Sequence, residues 1–344
     1  MMHVYERETE LILSVAFICH SFSGLASTPR KASLAAMAEP LEIKYAALKD
    51  EGIRAFLIAG ERFYPADAVD FTLAQQREFY DTYCANFRKP RPTGIIAEDF
   101  FVGSVPCRLY RPKTEKNYPV MLYLHGGGYV LGGLDSHDDV CAEISDQADV
   151  AVVGVQYRLA PEHPFPAALD DAWAVLGYLA QRYNRIVIGG DSAGGNLSAA
   201  LALKARDEGG PKISGQVLIY PGLGGDPASG SYITQANAPG LTTKDVLHYR
   251  DVYKGGGHKY AEPLRETNFK GLPPAFMVAA GLDPLCDDCE NYAGKLRQAN
   301  VSVQVRHEPL LVHAFLRARH MSEPARASFS AIGDAARRFA YSPT

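Results

Sequence analysis

The chain has 344 residues, enough for one large α/β domain with an elaboration or for two domains. Its composition, 47% apolar and 22% charged, is that of a globular protein and excludes wholesale disorder. Lys plus Arg number 35 against 39 Asp plus Glu, a net charge of −4 with no basic run, so the electrostatic footprint of a nucleic-acid partner is missing.

At the N-terminus, residues 11–19 form an apolar run followed by small residues, outwardly like a secretory leader. Glu6, Glu8 and Glu10 outweigh Arg7 where a leader needs positive charge, and the run is short of the ~20 residues that span a bilayer. Residues 1–36 are therefore expected to be a dispensable or disordered extension ahead of Met37, with a leader or an ordered extension as the other readings. No stable membrane insertion is expected. Six cysteines include one close pair, Cys286 and Cys289, without a second pair or nearby His ligands. They are expected to be unpaired thiols of a reducing compartment, which places the protein in the cytoplasm, with no metal and no cofactor.

From residue 40 to 87 the pattern is helical, with Phe71, Phe79, Tyr80 and Tyr83 at helical spacings. The segment 88–94, rich in Pro and Arg, breaks it. Strands are predicted at 98–102, 105–110, 119–124 and 150–156, with a helix at 136–149 between the last two. A helix at 167–183, a strand at 185–190, a helix at 193–206 and a strand at 215–220 follow. The alternation lapses over 221–272, where helical pattern appears only near 243–253. It resumes with strand 275–280, helix 289–299, strand 301–307 and helix 324–339. Short apolar strands alternating with helices predict an α/β fold with a mostly parallel sheet covered by helices on both faces.

Two loops carry chemistry. Gly190-Asp191-Ser192-Ala193-Gly194 has the G-x-S-x-G pattern between an apolar strand and a small-residue helix. A nucleophile elbow needs that arrangement, because small neighbours leave room for a strained Ser whose Oγ points outward. The Ala193 N–H then lies at a helix start, where free amides favour an anion. His125-Gly126-Gly127-Gly128 follows the strand at 119–124, and its glycines leave backbone N–H groups free to meet an oxyanion. His125 is expected to shape this loop rather than to act as a base. A hydroxyl nucleophile needs a base and an orienting acid. Of ten histidines, His313 lies in a loop after the last strand, His307 ends that strand and His320 lies beyond. Asp283 follows the strand at 275–280, at the sheet edge that holds the site in open α/β folds. Asp287 and Asp288 are expected to stabilise the N-terminus of the next helix. The order Ser192, Asp283, His313 is the triad order of α/β-hydrolases.

The motifs HGGGYVLGG (125–133), YRLAPEHPFPAALDDA (157–172), GDSAGGNL (190–197), AGLDPLCDD (280–288) and VHAF (312–315) resemble the hormone-sensitive-lipase-like esterases, from about residue 40 onward. The resemblance implies an α/β-hydrolase fold with a helical cap. The cap would be built from residues 37–87 and from an insertion at 221–272, over a core of 88–220 and 273–344. It also implies Ser192 as nucleophile, Asp283 and His313 as its triad partners, and Gly127, Gly128 and Ala193 as oxyanion-hole donors. Cys286 stands where Arg is common, and Val312 and Ala314 flank His313 in place of a more Gly-rich surround. Within 157–171 the prolines are expected to set a turn into a helix, with Arg158 and Glu162 paired. The aromatics of 56–87 and 232–260 are expected to form the cap's own core and, in part, to line an acyl pocket. The expected function is serine carboxylesterase activity on short- to medium-chain acyl esters. The alternatives are amide hydrolysis by the same triad or a non-catalytic small-molecule receptor. The expected partner is a small-molecule ester, with homodimer formation open.

Overall fold

The computed structural model describes residues 41–65, 67–114 and 117–342. The expectation for residues 1–36 lies outside them. In chain order come the helices α1 (Leu41–Lys44), α2 (Glu51–Gly60) and α3 (Leu73–Phe87), then strands β1 (Ile95–Val102), β2 (Val105–Pro112) and β3 (Val120–Leu124). There follow α4 (Asp138–Ala148), β4 (Ala151–Val155), α5 (Ala167–Ala180), β5 (Ile186–Asp191), α6 (Ala193–Asp207) and β6 (Gly215–Ile219). Next are α7 (Ser231–Thr234), α8 (Thr243–Tyr253), β7 (Ala275–Leu282), α9 (Cys286–Gln298), β8 (Val303–Val312) and α10 (Glu323–Tyr341).

The eight strands form one sheet in the order β1-β2-β4-β3-β5-β6-β7-β8. β2 is antiparallel to β1 and β4, and every pair from β4 to β8 is parallel, as the alternation predicted. β3, β4, β5 and β6 are buried throughout, which is why they read as continuous apolar runs. Side chains alternate between two cores. Leu122, Ile188 and Leu218 pack with Leu169, Leu176, Leu197 and Tyr292 of α5, α6 and α9. Met121, Val187 and Val217 pack on the other face with Val140, Ile144, Phe329 and Ile332 of α4 and α10.

Local chemistry explains the element ends. Thr72 with Gln75, and Thr242 with Asp245, close capping boxes at the starts of α3 and α8. The predicted last strand was too short. β8 runs past His307 to Val312, because its pairing with β7 continues through an irregularity to Leu282 opposite Val312. Pro309 is tolerated there since β8 is an edge strand. α9 starts at Cys286, earlier than predicted, as the Asp283 carboxylate accepts the Leu285 N–H at 2.9 Å and turns the chain into the helix.

One pairing expectation is corrected and one helix-terminus expectation is extended. Arg158 does not pair with Glu162: it grips Asp171 of α5, whose carboxylate also accepts the Arg158 N–H at 2.8 Å. The turn between them carries Glu162 away, to a two-pronged pair with Arg77 of α3 at 2.8 Å. Asp287 and Asp288 do lie in the first turn of α9, but they also bind another segment. Asp288, fully buried, accepts the Leu223 N–H at 2.6 Å and the Tyr232 hydroxyl at 3.1 Å, and Asp287 accepts the Ser231 N–H at 2.8 Å. Burial raises the Asp288 carboxyl to about 6, against the opposing pull of these donors and Arg250.

Candidate active site

Because β3, β5, β7 and β8 are parallel, their C-terminal ends share one sheet edge, and each delivers a candidate residue there. The loop 125–128 follows β3, Ser192 follows β5, Asp283 follows β7 and His313 follows β8. Residues 121 positions apart thus meet: His313 Nε2 lies 2.8 Å from Ser192 Oγ. His313 Nδ1 lies 2.6 Å from Asp283 Oδ2, and Asp283 is fully buried. Tyr220, at the end of β6, sets its ring 4.8 Å from the His313 ring and limits its tilt. The other two histidines lie elsewhere. His307 Nε2 faces Cys286 Sγ at 3.4 Å, and His320 pairs with Glu143 at 2.9 Å.

Ser192 takes φ 55° and ψ −119°, left-handed backbone that non-Gly residues avoid. The neighbours explain why the turn holds. A Cβ on Gly190 or Gly194 would stand 2.2 or 1.9 Å from the Leu124 carbonyl, so only glycine lets β3 and the elbow approach this closely. In the facing loop Gly127 and Gly128 have φ of 124° and 61°. The Gly127, Gly128 and Ala193 N–H groups donate to no protein acceptor among the described residues. All three residues border the same cavity as Ser192 and His313.

His125 behaves as expected. It is buried and stacks on Tyr157 at 4.2 Å, with its Nδ1 2.8 Å from the Gly126 carbonyl oxygen. Burial, with His137 nearby, pushes its imidazole down to about 3, which leaves it neutral and unsuited to be the base.

Sequence reasoning gave Asp191 no role. Its buried carboxylate accepts the Gly126 N–H at 3.0 Å and the Tyr123 hydroxyl at 2.8 Å, and so ties the elbow to the Gly-rich loop. Burial alone would raise this carboxyl, but His137, Tyr123 and Arg317 together hold it below the usual carboxylate range. An acid inside a run of small residues was the available signal. His137, which faces this carboxylate, and Arg317, which lies beside His137, come from distant segments and left no local pattern.

The cavity over Ser192 has a volume of about 540 Å³. Its walls include Phe56, Tyr64 and Tyr83 from the N-terminal helical piece and Val246 and Tyr249 from α8. The Tyr64 and Tyr249 hydroxyls meet at 3.2 Å, and the Tyr249 ring packs against Gly128. Phe56 lines this cavity and also belongs, with Phe87, to the buried core that holds Met121, Val187 and Ile332. Cys84, Cys107, Cys141, Cys286 and Cys289 are unpaired thiols. No helix among the described residues is long and apolar enough to cross a membrane.

The family described as alpha/beta hydrolase fold matches residues 121–317. The chain is 41% identical over 236 residues to the esterase LipI of Mycobacterium tuberculosis, which covers 64% of this chain and 74% of that one. It is 31% identical over 287 residues to an arylesterase of Saccharolobus solfataricus, covering 78% of this chain and 92% of the relative. A solved esterase of Pyrobaculum calidifontis shares 32% identity and superposes with a TM-score of 0.75 over 79% of this chain and 94% of that one. Fold, sequence likeness and the meeting of the two motif loops agree: the chain belongs to the alpha/beta hydrolase fold family, among the hormone-sensitive-lipase-like esterases.

Proposed function

We propose that the protein is a serine carboxylesterase acting on short- to medium-chain acyl esters, with Ser192 as nucleophile, His313 as base and Asp283 as the orienting acid. The observation that carries this reading is the unbroken hydrogen-bonded line from Ser192 Oγ through the His313 imidazole to the buried Asp283 carboxylate, under a largely apolar cavity. His313 Nε2 takes the Ser192 proton as Oγ bonds to the ester carbonyl carbon. Asp283 accepts the Nδ1–H and stabilises the imidazolium that forms. The carbonyl electrons move onto oxygen, and the Gly127, Gly128 and Ala193 N–H groups receive that oxyanion. The imidazolium returns its proton to the alkoxide as the C–O bond breaks, leaving an acyl-enzyme. Water, deprotonated by His313, then attacks the acyl carbonyl and releases the acid and Ser192.

Residues 37–87 and 221–272 act as the cap over a core of 88–220 and 273–344. The unpaired thiols suit a reducing compartment, and the cytoplasm is the proposed location. The test is hydrolysis of p-nitrophenyl esters beside the matching anilides. Esters should be cleaved, and Ser192→Ala should lower kcat by at least ~10⁴ without loss of the fold. A folded Ser192→Ala variant of near-native activity would overturn the assignment, and faster anilide than ester turnover would replace it with amide hydrolysis.

A further inference from the structure

A buried positive charge behind the Gly-rich loop has no acid of its own. Arg317 lies four residues after His313, in the turn Phe315–Ala318, and is only 5% exposed. Its Nη1 donates to the Ser136 carbonyl at 2.9 Å. Its Nη2 lies 3.3 Å from the Tyr80 hydroxyl and 3.4 Å from His137 Nε2. The guanidinium also lies over the Tyr80 and Tyr83 rings, 5.6 and 5.8 Å from their centres. Among the described residues no carboxylate forms an ion pair with it. The acid reached through its contacts is Asp191, whose oxygens lie 3.2 and 3.3 Å from His137 Nε2.

Asp191 precedes Ser192 and holds the Gly126 N–H. An anion at that place both helps and opposes the chemistry. It fixes the loop that receives the oxyanion, yet a bare carboxylate beside a growing oxyanion repels it, strongly where water is excluded. A nearby positive charge keeps the first effect and cancels the second. Arg317 is buried in position to supply it, and the Ser136 carbonyl and the Tyr80 and Tyr83 rings hold the guanidinium there without neutralising it.

We propose that Arg317 is a positioning residue for ester hydrolysis, a counter-charge that acts through His137 on Asp191 and so keeps the Gly126–Gly128 loop able to accept the oxyanion. The proposal rests on Ser192 as nucleophile and on that loop as the oxyanion site. Arg317→Gln removes the charge together with the guanidinium's contacts to Ser136, Tyr80 and Tyr83, so the Lys variant is the control that isolates the charge. With active sites counted by a stoichiometric organophosphate and p-nitrophenyl butyrate as substrate, Arg317→Gln should lower kcat about ten- to a hundredfold with KM within about threefold. Arg317→Lys, which keeps the charge, should stay within about fivefold of the native kcat. Adding Asp191→Asn to Arg317→Gln should raise kcat above that of Arg317→Gln alone, because no charge is then left to compensate.

A native kcat per active site in Arg317→Gln, or equal losses in the Gln and Lys variants, would overturn the proposal. His137→Phe cuts the relay with Arg317 in place and decides the matter should Arg317→Gln fail to fold. The same kcat loss at unchanged KM is expected, and an unchanged kcat overturns the idea. Ser192→Ala assayed alongside separates the two readings. An active Ser192→Ala sinks the nucleophile assignment, whereas an inactive one beside a normal Arg317→Gln sinks only this inference.

Discussion

Ser192 sits in backbone that costs about 1–3 kcal/mol to hold, and the surrounding contacts keep it there. Its N–H donates to the Ile219 carbonyl at 2.9 Å, and its carbonyl accepts the Asn196 N–H at 3.0 Å. That strain points Oγ at His313 rather than into the sheet. The choice of base follows from partners, not from the histidine's place in the sequence. His313 alone of the three candidates touches both Ser192 and a buried acid. His313→Ala should therefore lose kcat by about 10⁴, while His307→Ala and His320→Ala should lose less than about tenfold. Steady-state rates on one ester for the three purified variants check this, and a dead His320→Ala beside an active His313→Ala would refute it.

At the scale of elements, the first turn of α9 joins two parts of the molecule. Asp283, just before it, lies within hydrogen-bond distance of His313, and Asp288 in that turn holds the 223–225 backbone. The Asp288 carboxyl pays for that position with burial, which raises it from 3.8 to about 6. An acid raised on folding is bound more tightly by its proton in the native state. Its contribution is fully present below pH 3.8 and is lost as pH rises through about 6. Asp288→Asn keeps an oxygen for the two N–H groups and has no charge to bury. Relative to the native protein, this variant should gain about 2 kcal/mol of unfolding free energy between pH 4.5 and 7.5. Urea melts of both proteins at the two pH values measure it. A difference that stays flat with pH would mean that the carboxylate is charged in the native state throughout.

For the whole molecule, the cavity decides which esters fit. At about 540 Å³ it lies within the ~300–1,000 Å³ range of small-molecule sites. The Tyr64–Tyr249 contact spans the N-terminal helical piece and α8 above Gly128, so the space has walls on both sides. Each buried CH₂ adds about 0.8 kcal/mol of transfer free energy until the walls are met. Beyond that point overpacking costs about 1–3 kcal/mol. The optimum of kcat/KM should fall between roughly four and eight acyl carbons, with no jump in rate at an oil–water interface. A series from p-nitrophenyl acetate to palmitate, below and above substrate solubility, measures this. A maximum at palmitate with a rise on emulsification would identify a lipase instead.

What the sequence determined by itself is the set of features whose physics is local. Apolar runs between helical segments specified a parallel sheet, because strands buried on both faces need no polar residues. Gly190, Gly194 and the glycines at 126–128 marked two tight turns, because only small residues allow those approaches. The same locality made Ser192 and the helix at 243–253 legible. Where partners come from afar, the sequence was silent or misleading. The pairing of β7 with β8, not any residue within β8, carried that strand on to Val312. Arg158 found Asp171 rather than Glu162, since side-chain partners depend on where a helix lands. Asp288 became an anchor for a loop some sixty residues upstream, and Arg317 came to lie behind Asp191. Such contacts carry no periodicity, because sheet order and helix packing set them, and only the folded chain decided them.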